Sequence, residues 1–430
     1  MFSLCVTLGA FALILVLARF KVPLAAAIAV GAIGLGLAFS TPPVQVGVTM
    51  LKGSVQQRTI GLLVITFLQL LLSGALDRAG ELQRIVGLAR AVLRRPAVTM
   101  AALPALIGLM PMPGGALFSA PMVEAAAGEG QVTRAKLSAI NYWYRHIWEF
   151  WWPLYPGVIL AMTLTGLSFG VFAAVQLPLG LFMATAGILI FRHMHPSFHS
   201  AQPPAAPGTK RALASATMPI WIIVLIALPL TFAVPLLPAT ALPTWLNELV
   251  PKYGPIFAGL LVAFLLVAWR AQFSRADLRD LFTARKPYTM AILVVSVMVF
   301  QYVLGAVGAP QRIAEELQAL HVPLLAVVMI LPAIAGAVTG LAVGFVGTSF
   351  PIVLPLVQIM TGDGFVGPYM ALAYAFGHLG MMMSPMHLCH IVSNQYFETP
   401  FGPVYKEIVP SAVTTGLLAF IYVMLLNAIL

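Results

Sequence analysis

The sequence LPALIG at 103–108 recurs as LPAIAG at 331–336. Three further matches lie around it: Gln83-Arg84-Ile85 with Gln311-Arg312-Ile313, Ser119-x-Pro121 with Ser349-x-Pro351, and Tyr142, His146 and Pro153 with Tyr374, His378 and Pro385. The offset between copies grows from 228 to 232 along the chain, as expected for two duplicated halves that differ by short insertions. In a membrane protein, such a duplication with Gly/Pro-interrupted segments at matching places is typical of a transporter and indicates its binding site.

The composition places the chain in a lipid bilayer. Sixty per cent of its 430 residues are hydrophobic and 8% are charged, and the mean hydropathy is +0.97. The net charge of +10 would suggest nucleic acid for a soluble protein, but in a membrane protein basic residues collect in loops as topology signals. Cys5 and Cys389 both lie in apolar context, so no disulfide framework is expected. The first apolar segment is interpreted as a membrane span and not as a signal peptide.

Segments of about 20 apolar residues predict ten spans. They lie at about 2–18, 22–39, 59–76, 138–165, 168–191, 214–235, 253–269, 288–304, 368–395 and 410–429. Two longer apolar stretches, 97–127 and 323–358, are interrupted by glycines and prolines, and we expect each to be a re-entrant hairpin. The prediction is therefore a first repeat at 1–196, a Pro-rich linker at 197–213 and a second repeat at 214–430.

The distribution of basic residues supports this threading. Loops on one side of the membrane carry 18 Lys and Arg, loops on the other side carry four, and Arg145 falls inside the membrane. The basic side should be cytoplasmic. We therefore expect both termini outside and a location in the cell (inner) membrane. Five spans per half is an odd number, so the second half should be inverted relative to the first.

The hairpin tips are the first candidate site, because irregular backbone at membrane depth must be satisfied by protein or by a wet cavity. The first tip offers Pro113, Gly114 and Gly115, followed by Ser119; the second is placed around Gly347, Thr348 and Ser349. Hydroxyls beside free carbonyls would suit Na⁺, and free N–H groups of half-helices would suit an anion. The alternative is a pair of Gly-packed kinks in ordinary spanning helices.

The second candidate site is a pair of helices, at about 138–165 and 368–395, that Pro153 and Pro385 should break. Arg145 and Glu149 lie four residues apart in the most aromatic stretch of the chain. Ionisable groups inside a membrane usually serve function, and Arg can bind a carboxylate bidentately. The alternatives are a buried pair, or an Arg145 that extends to the interface. Asn141 and Ser384 flank the two breaks.

Histidines add candidates for proton transfer and for metal binding. His146 and His378 occupy equivalent repeat positions and could relay protons, although structural hydrogen bonding explains such a pair equally well. His387, Cys389 and His390 could act as metal ligands, but this cluster lacks the usual spacing. No resident metal or cofactor is therefore expected. Trp143, Trp148, Trp151 and Trp152 would either line a pocket or form an interfacial belt.

These features resemble the ion transporter superfamily, which includes divalent anion/Na⁺ symporters and citrate and gluconate carriers. The segments 110–116 (MPMPGGA), 347–351 (GTSFP) and 384–389 (SPMHLC) look like an uncharacterised prokaryotic family of integral membrane proteins of unknown function. The resemblance implies an elevator carrier, with hairpins and broken helices in a moving domain and the other spans in a scaffold that dimerises. The symporters' Ser-Asn-Thr tip motif is absent here, so sodium coupling and a dicarboxylate substrate do not carry over.

The sequence therefore predicts a non-enzymatic, all-α secondary transporter of a small organic anion, coupled to Na⁺ or H⁺. The expected substrate-binding residues are Pro113, Gly114, Gly115, Ser119, Asn141, Arg145, Gly347, Thr348, Ser349, Ser384 and His387. The expected coupling residues are Glu149, His146, His378, Thr348 and Ser349. Expected partners are the bilayer and a second copy of the chain, with no nucleic acid. Alternatives are a membrane subunit that works with a separate binding protein, and an intramembrane metalloenzyme.

Overall fold

The structure, a computed structural model, consists of α-helices, with no strand in the part of the chain that it describes. Described are residues 1–93, 95–110, 115–127, 132–192, 206–236, 243, 246, 249–362 and 364–429. Within these ranges eight helical segments are long and apolar enough to cross a membrane. The predicted class, an all-α polytopic membrane protein, is confirmed.

The first half forms ten helices within the described residues. They are α1 Phe2–Arg19, α2 Leu24–Ala38, α3 Pro43–Ser54, α4 Gln57–Arg78, α5 Glu81–Val92, α6 Pro96–Gly108, α7 Ala116–Ala127, α8 Arg134–Arg145, α9 Pro156–Thr165 and α10 Phe169–Ala186. A short 3₁₀ turn, Gly187–Phe191, extends α10.

The second half forms ten more helices within the described residues. They are α11 Thr209–Ala233, α12 Leu249–Arg270, α13 Arg275–Thr283, α14 Arg285–Ala306, α15 Ala309–Ala319, α16 Leu324–Thr339, α17 Ala342–Thr361, α18 Gly367–Met382, α19 Leu388–Tyr396 and α20 Phe401–Ile429. A 3₁₀ turn, Val234–Leu236, follows α11.

The duplication seen in the sequence is also present in the helices. The starts of α14, α15 and α16 are offset by 228 from the starts of α4, α5 and α6, and those of α19 and α20 are offset by 232 from those of α9 and α10. The same series of elements is therefore built twice.

The contacts between helices are symmetric under exchange of the halves. Several contacts between a helix of the first half and a helix of the second half have an equivalent when the halves are exchanged. The contact of α2 with α14 is equivalent to that of α12 with α4, and the contact of α9 with α17 is equivalent to that of α19 with α7. The contact of α8 with α20 is likewise equivalent to that of α18 with α10. The helices α4 and α10 contact their own counterparts, α14 and α20. A two-fold relation between the halves requires this pattern.

Two equivalent glycines allow the closest helix contacts. A Cβ at Gly108 of α6 would overlap the backbone oxygen of Arg145, and a Cβ at Gly336 of α16 would overlap the backbone oxygen of Gly377. Only glycine lets two backbones approach this closely. The recurrence of LPALIG as LPAIAG is thereby explained, because each copy positions a hairpin helix against the first part of a broken helix.

The structure differs from the predicted elements in several places. The stretches 43–54 and 275–283, treated as loops, are the helices α3 and α13, and α20 begins at Phe401 and not at about 410. The helix α11 begins at Thr209, inside the predicted linker, and residues 197–205 of that linker lie outside the described residues. A further difference is the second hairpin tip, placed around 344–351. This placement is wrong, because Gly344, Gly347, Thr348 and Ser349 all lie within the continuous helix α17.

The second hairpin turns at Gly340 instead. Gly340 has a φ of 62° and ends α16, and α17 begins two residues later at Ala342. A φ in the left-handed region favours glycine, so Gly340 is the helix C-terminal residue that permits the turn. The glycines of α17 serve packing, since a Cβ at Gly347 would overlap the side chain of Val297 in α14.

One helix of the second hairpin, α17, and the first part of the second broken helix, α18, lie inside the molecule, and the long helix α20 lies at its surface. Most residues of α17 and α18 are buried, whereas α20 exposes a stripe of large apolar side chains at every fourth position. These are Val409, Val413, Leu417, Ile421 and Leu425. Polar groups that face one another in this interior are shielded from both lipid and water.

Candidate functional site

The two helix breaks form one site. The helix α8 ends at Arg145 and α9 begins at Pro156; α18 ends at Met382 and α19 begins at Leu388. Tight turns connect α8 to α9. In these turns the N–H of His146 donates to Trp143 O, and the N–H of Glu149 donates to His146 O. The breaks from the two halves meet, because His146 and His387 lie with their Nε2 atoms 3.0 Å apart.

Two tyrosines join the breaks reciprocally. Tyr142 in α8 donates its hydroxyl to Met382 O at the end of α18, at 2.9 Å. Tyr374 in α18 donates to Glu149 O in the first break, at 2.7 Å. Tyr142 and Tyr374 are repeat equivalents, and their acceptors fall at nearly equivalent positions. The sequence match of Tyr142 with Tyr374 therefore marked two residues that form hydrogen bonds between the halves, although it did not reveal the acceptors of these bonds.

His146 and His387 are oriented by backbone carbonyl groups. His146 Nδ1 lies 2.6 Å from Tyr142 O, and His387 Nδ1 lies 2.7 Å from Gly340 O. A carbonyl oxygen only accepts, so each Nδ1 carries the hydrogen. Both Nε2 atoms are thereby directed into the space between the breaks. His387 was predicted as a substrate contact and His146 as a coupling group, and the structure brings the two together.

Cys389, Glu149 and Arg145 surround the histidine pair. The Cys389 sulfur and one nitrogen from each histidine lie within 4.8 Å of one another, and all three residues are buried. Glu149 Oε1 is 3.8 Å from His146 Nε2. Arg145 interacts electrostatically with both Cys389 and Glu149. The site thus combines a cation, a carboxylate, two imidazoles and a thiol away from solvent.

Arg145 also reaches the first hairpin. Its side chain is 2% exposed, and a Cβ at Gly115 would overlap its guanidinium group. Gly115 directly precedes α7, so the guanidinium lies beside the N-terminal end of that helix. Arg145 therefore belongs to the interior and does not extend to the membrane surface. The other predicted first-tip residues, Pro113 and Gly114, lie outside the described residues.

The remaining hydroxyl candidates bond locally. Thr348 and Ser349 donate to Gly344 O and Phe345 O, one turn back in α17, at 2.8 and 2.6 Å. Ser119 donates to Ala116 O at 3.3 Å, and Ser384 Oγ accepts from the N–H of Met386 at 3.2 Å. Thr348 and Ser349 are thus part of a helix and not of a hairpin tip with free carbonyls.

Asn141 belongs to a second polar cluster beside the first. Its Nδ2 donates to Ala116 O at 2.9 Å and to Ser393 Oγ at 3.1 Å. Ser138 donates to Asn394 Oδ1 at 2.6 Å. These bonds connect α8, α19 and the start of α7. The sequence marked Asn141 but missed Ser138 and Ser393, which carry no motif and become neighbours only when the halves fold together.

The other two candidate histidines differ from His146. His390 stacks on Tyr142, with ring centroids 4.4 Å apart, and His378 packs on Phe150 at 4.5 Å. Both are fully buried, and their ring nitrogens have no hydrogen-bond partner among the described residues. The three side chains that could bind a metal ion together are His146, His387 and Cys389. The sequence had grouped His390, and not His146, with His387 and Cys389.

Three of the four candidate tryptophans donate hydrogen bonds to backbone carbonyl groups of the protein. Trp152 donates to Leu109 O at 3.0 Å, Trp148 to Ala105 O at 2.8 Å, and Trp143 to Met183 O at 2.9 Å. The first two bonds satisfy carbonyl groups at the C-terminal end of α6, which have no partner within the helix. Trp143 and Trp152 are fully buried, so they are not part of an interfacial belt.

The fold and the site together define the class of this protein: it is a helical membrane protein with a buried charged site between two broken helices. A family model described as a protein of unknown function (DUF401) matches residues 3–204 and 252–426, and the chain belongs to that family. The resemblance to a family of uncharacterised membrane proteins is thereby confirmed. No curated protein matches the chain. One similar solved structure is the Alcanivorax borkumensis YdaH transporter, with 14% identity, a TM-score of 0.49 and coverage of 88% of this chain and 87% of that chain.

Proposed function

We propose that this protein is a secondary active transporter of a small organic anion, with Arg145 as the anion-attracting group and Glu149 as the proton carrier. The observation that carries the proposal is the position of these two charges. Both are buried where the helix breaks of the two halves meet. Charged groups at membrane depth are expensive and normally serve a substrate or ion pathway.

The surroundings of Arg145 favour a carboxylate. A guanidinium group presents parallel N–H donors that match a carboxylate. It lies against Gly115, where a side chain would fill the space, and beside the N-terminal end of α7. A helix N-terminus adds partial positive charge. The repeat equivalent of Arg145 is Gly377, so the charge is present in one half only, as an asymmetric substrate requires.

The contacts favour protons over sodium as the coupling ion. Glu149 is buried beside His146, and a carboxylate in such a position can gain and lose a proton as the site opens to either side. The hydroxyls of Thr348 and Ser349, the proposed sodium ligands, are bonded within α17. Sodium coupling is retained as an outcome of the test.

The symmetric contacts support alternating access. Two halves related by a two-fold axis can exchange conformations, so that the site opens first to one side and then to the other. We place the hairpins and broken helices in a moving domain and the peripheral helices in a scaffold that pairs with a second copy. The proposed inversion of the second half makes the two open states equivalent.

A thermal-shift panel on purified protein tests the function. It would include small carboxylates, sugar acids, amino acids and inorganic anions, each in Na⁺ or K⁺ at two pH values. A ligand present at about 100 times its Kd stabilises the folded state by about 2.7 kcal/mol. We expect one class of carboxylate to raise Tm in a pH-dependent and Na⁺-independent way. A shift that requires Na⁺ would refute proton coupling.

Arg145→Gln tests the residue assignment. Hydrogen bonds to charged groups contribute about 1.5–3 kcal/mol, so Kd for the active carboxylate should rise roughly 10- to 100-fold. Arg19→Gln, at the exposed end of α1, is the matched control and should bind normally. Unchanged binding in Arg145→Gln would refute the role of Arg145. The absence of any shift in the wild type would favour a carrier that needs a separate binding protein.

A further inference from the structure

The histidine pair poses a problem of hydrogen bonding. The Nδ1 hydrogens of His146 and His387 are both donated to carbonyl groups. A neutral imidazole has one N–H, so both Nε2 atoms carry lone pairs. These two acceptors face each other at 3.0 Å in a buried place, where unsatisfied polar groups are costly. A single cation bound by both nitrogens removes the conflict.

The third neighbour indicates which cation. Cys389 brings its sulfur within 4.8 Å of the two imidazole nitrogens, and thiolate together with imidazole is the donor set of Zn²⁺ and related ions. Metal-bound histidines commonly donate their second N–H to a carbonyl or carboxylate, which fixes the ring. His146 and His387 both do so. A shared proton would satisfy the two nitrogens alone, whereas Cys389, which hydrogen-bonds to both histidines, adds a third side chain of the kind that a metal ion binds.

We propose that His146, His387 and Cys389 form a binding site for one divalent ion of the Zn²⁺ class, which connects the two helix breaks. His146 comes from the first half, and His387 and Cys389 come from the second. The site has three protein ligands and an open fourth position, an arrangement known for zinc centres that also bind water or substrate. The sulfur loses its proton when the metal binds.

The dimensions fit with small side-chain movements. Two nitrogens bound to one tetrahedral Zn²⁺ at about 2.0–2.1 Å lie roughly 3.3 Å apart, near the observed 3.0 Å. A bound nitrogen and sulfur lie roughly 3.6 Å apart, which is within the 4.8 Å that includes all three ligand atoms. His390, which the sequence grouped with His387 and Cys389, stacks on Tyr142 instead and is not a ligand in this proposal.

Cobalt titration of metal-free protein tests the site without any transport substrate. The Cys5→Ser protein has Cys389 as its only cysteine, so a sulfur-to-cobalt charge-transfer band can arise only from Cys389. We expect one equivalent of Co²⁺ per chain, this band, visible bands of tetrahedral Co²⁺, and displacement of Co²⁺ by Zn²⁺. Substoichiometric binding, or bound Co²⁺ without the charge-transfer band, would overturn the proposal.

Variants distinguish the ligand set. In the same background, Cys389→Ser should lose the charge-transfer band, and His387→Gln should weaken Co²⁺ binding at least tenfold. His390→Gln is the matched control, because His390 is a buried neighbour outside the ligand set, and it should retain one equivalent. Loss of binding in His390→Gln with full binding in His146→Gln would overturn the assignment. These measurements do not depend on the identity of the transported anion, so either proposal can fail alone.

Discussion

At the scale of single residues, Glu149 is the group whose removal should separate transport from proton coupling. It is 8% exposed and lies beside His146. Glu149→Gln keeps the shape of the side chain and removes its ability to carry a proton. We expect uptake driven by a pH gradient into proteoliposomes to fall at least tenfold, while exchange of labelled for unlabelled anion across the same membrane continues.

Glu315→Gln is the matched control, because Glu315 lies on the exposed side of α15 and contacts none of the cluster residues among the described part of the chain. Its pH-driven uptake should equal that of the wild type. If Glu149→Gln retained full pH-driven uptake, proton transfer would have to pass through another group, and the proposed role of Glu149 would be wrong.

The residue-level site was predictable only where chemistry and sequence spacing coincide. Arg145 and Glu149 are conspicuous because a charged pair four residues apart is unusual in an apolar stretch. The partnership of His146 with Cys389 was not predictable, since it joins residues from different halves. His390 was favoured over His146 by proximity in sequence, and the helical geometry of α19 directs its ring toward Tyr142 instead.

At the scale of helices, the packing of α16 on α18 depends on Gly336. A Cβ there would overlap Gly377 O, a backbone atom that no rotamer change can move. Overpacking typically costs about 1–3 kcal/mol, so Gly336→Ala should lower Tm in detergent by several degrees. The equivalent Gly108→Ala should do the same, because it overlaps the backbone of Arg145.

Gly9→Ala provides the matched control. Gly9 lies in the middle of α1, and nothing lies within 4 Å of a Cβ built there. Alanine is favoured over glycine in a helix by about 0.8–1.0 kcal/mol, so this variant should keep or slightly raise Tm. A Gly336→Ala protein as stable as Gly9→Ala would show that the helices separate easily, and the close contact would then be unimportant.

The docking of α1 on α15 should depend on pH through Glu316. Partial burial alone would raise the pKa of Glu316, but the N–H of Leu4, the amino group of Met1 and the N–H of Ser3 outweigh burial and lower the pKa. The carboxylate accepts at 2.7 Å from Leu4 and 2.9 Å from Ser3. The lowered pKa means that the stabilisation is present above the unfolded pKa of about 4.3 and is lost as pH falls through the folded pKa.

Glu316→Gln should therefore have a lower Tm than wild type at pH 7, and the difference should shrink as the pH falls below about 4. Thermal melting of both proteins in detergent between about pH 3.5 and 7 measures this. Glu315→Gln again serves as control, with a small difference that does not follow this pH profile. A constant gap between Glu316→Gln and wild type at all pH values would exclude the electrostatic explanation.

Helices were predictable from the sequence in proportion to their apolar length. The segments that became α1, α4, α14 and α20 are long and apolar, and their positions were predicted within a few residues, apart from the start of α20. The second hairpin tip was misplaced, because the glycines of α17 look like a turn when tertiary packing is unknown. Gly347 instead makes room for Val297, and this requirement arises from α14, a helix that is distant in the sequence.

At the scale of the whole molecule, the repeat matches anticipated a two-fold pattern of contacts. Four short sequence matches were sufficient to reveal the repeat, because they fall at helix contacts that occur twice in the molecule. Examples are the equivalent residues Gly108 and Gly336, and the equivalent residues Tyr142 and Tyr374. The sequence could not show which side chains meet between the halves. That depends on how α8 and α18 pack, and such packing leaves little signal in one apolar sequence.

The proposed inversion of the second half leads to the last prediction, which concerns the sides of the membrane. Arg84 and Arg312 are repeat equivalents and both are exposed. In a Cys5→Ser background, where the remaining Cys389 is buried, Arg312→Cys should react with a membrane-impermeant thiol reagent in intact cells. Arg84→Cys should react only after permeabilisation, because equivalent positions of an inverted repeat face opposite sides. If both positions were labelled from the same side, the repeats would be parallel, and access would then have to alternate by relative movement of two equally oriented halves.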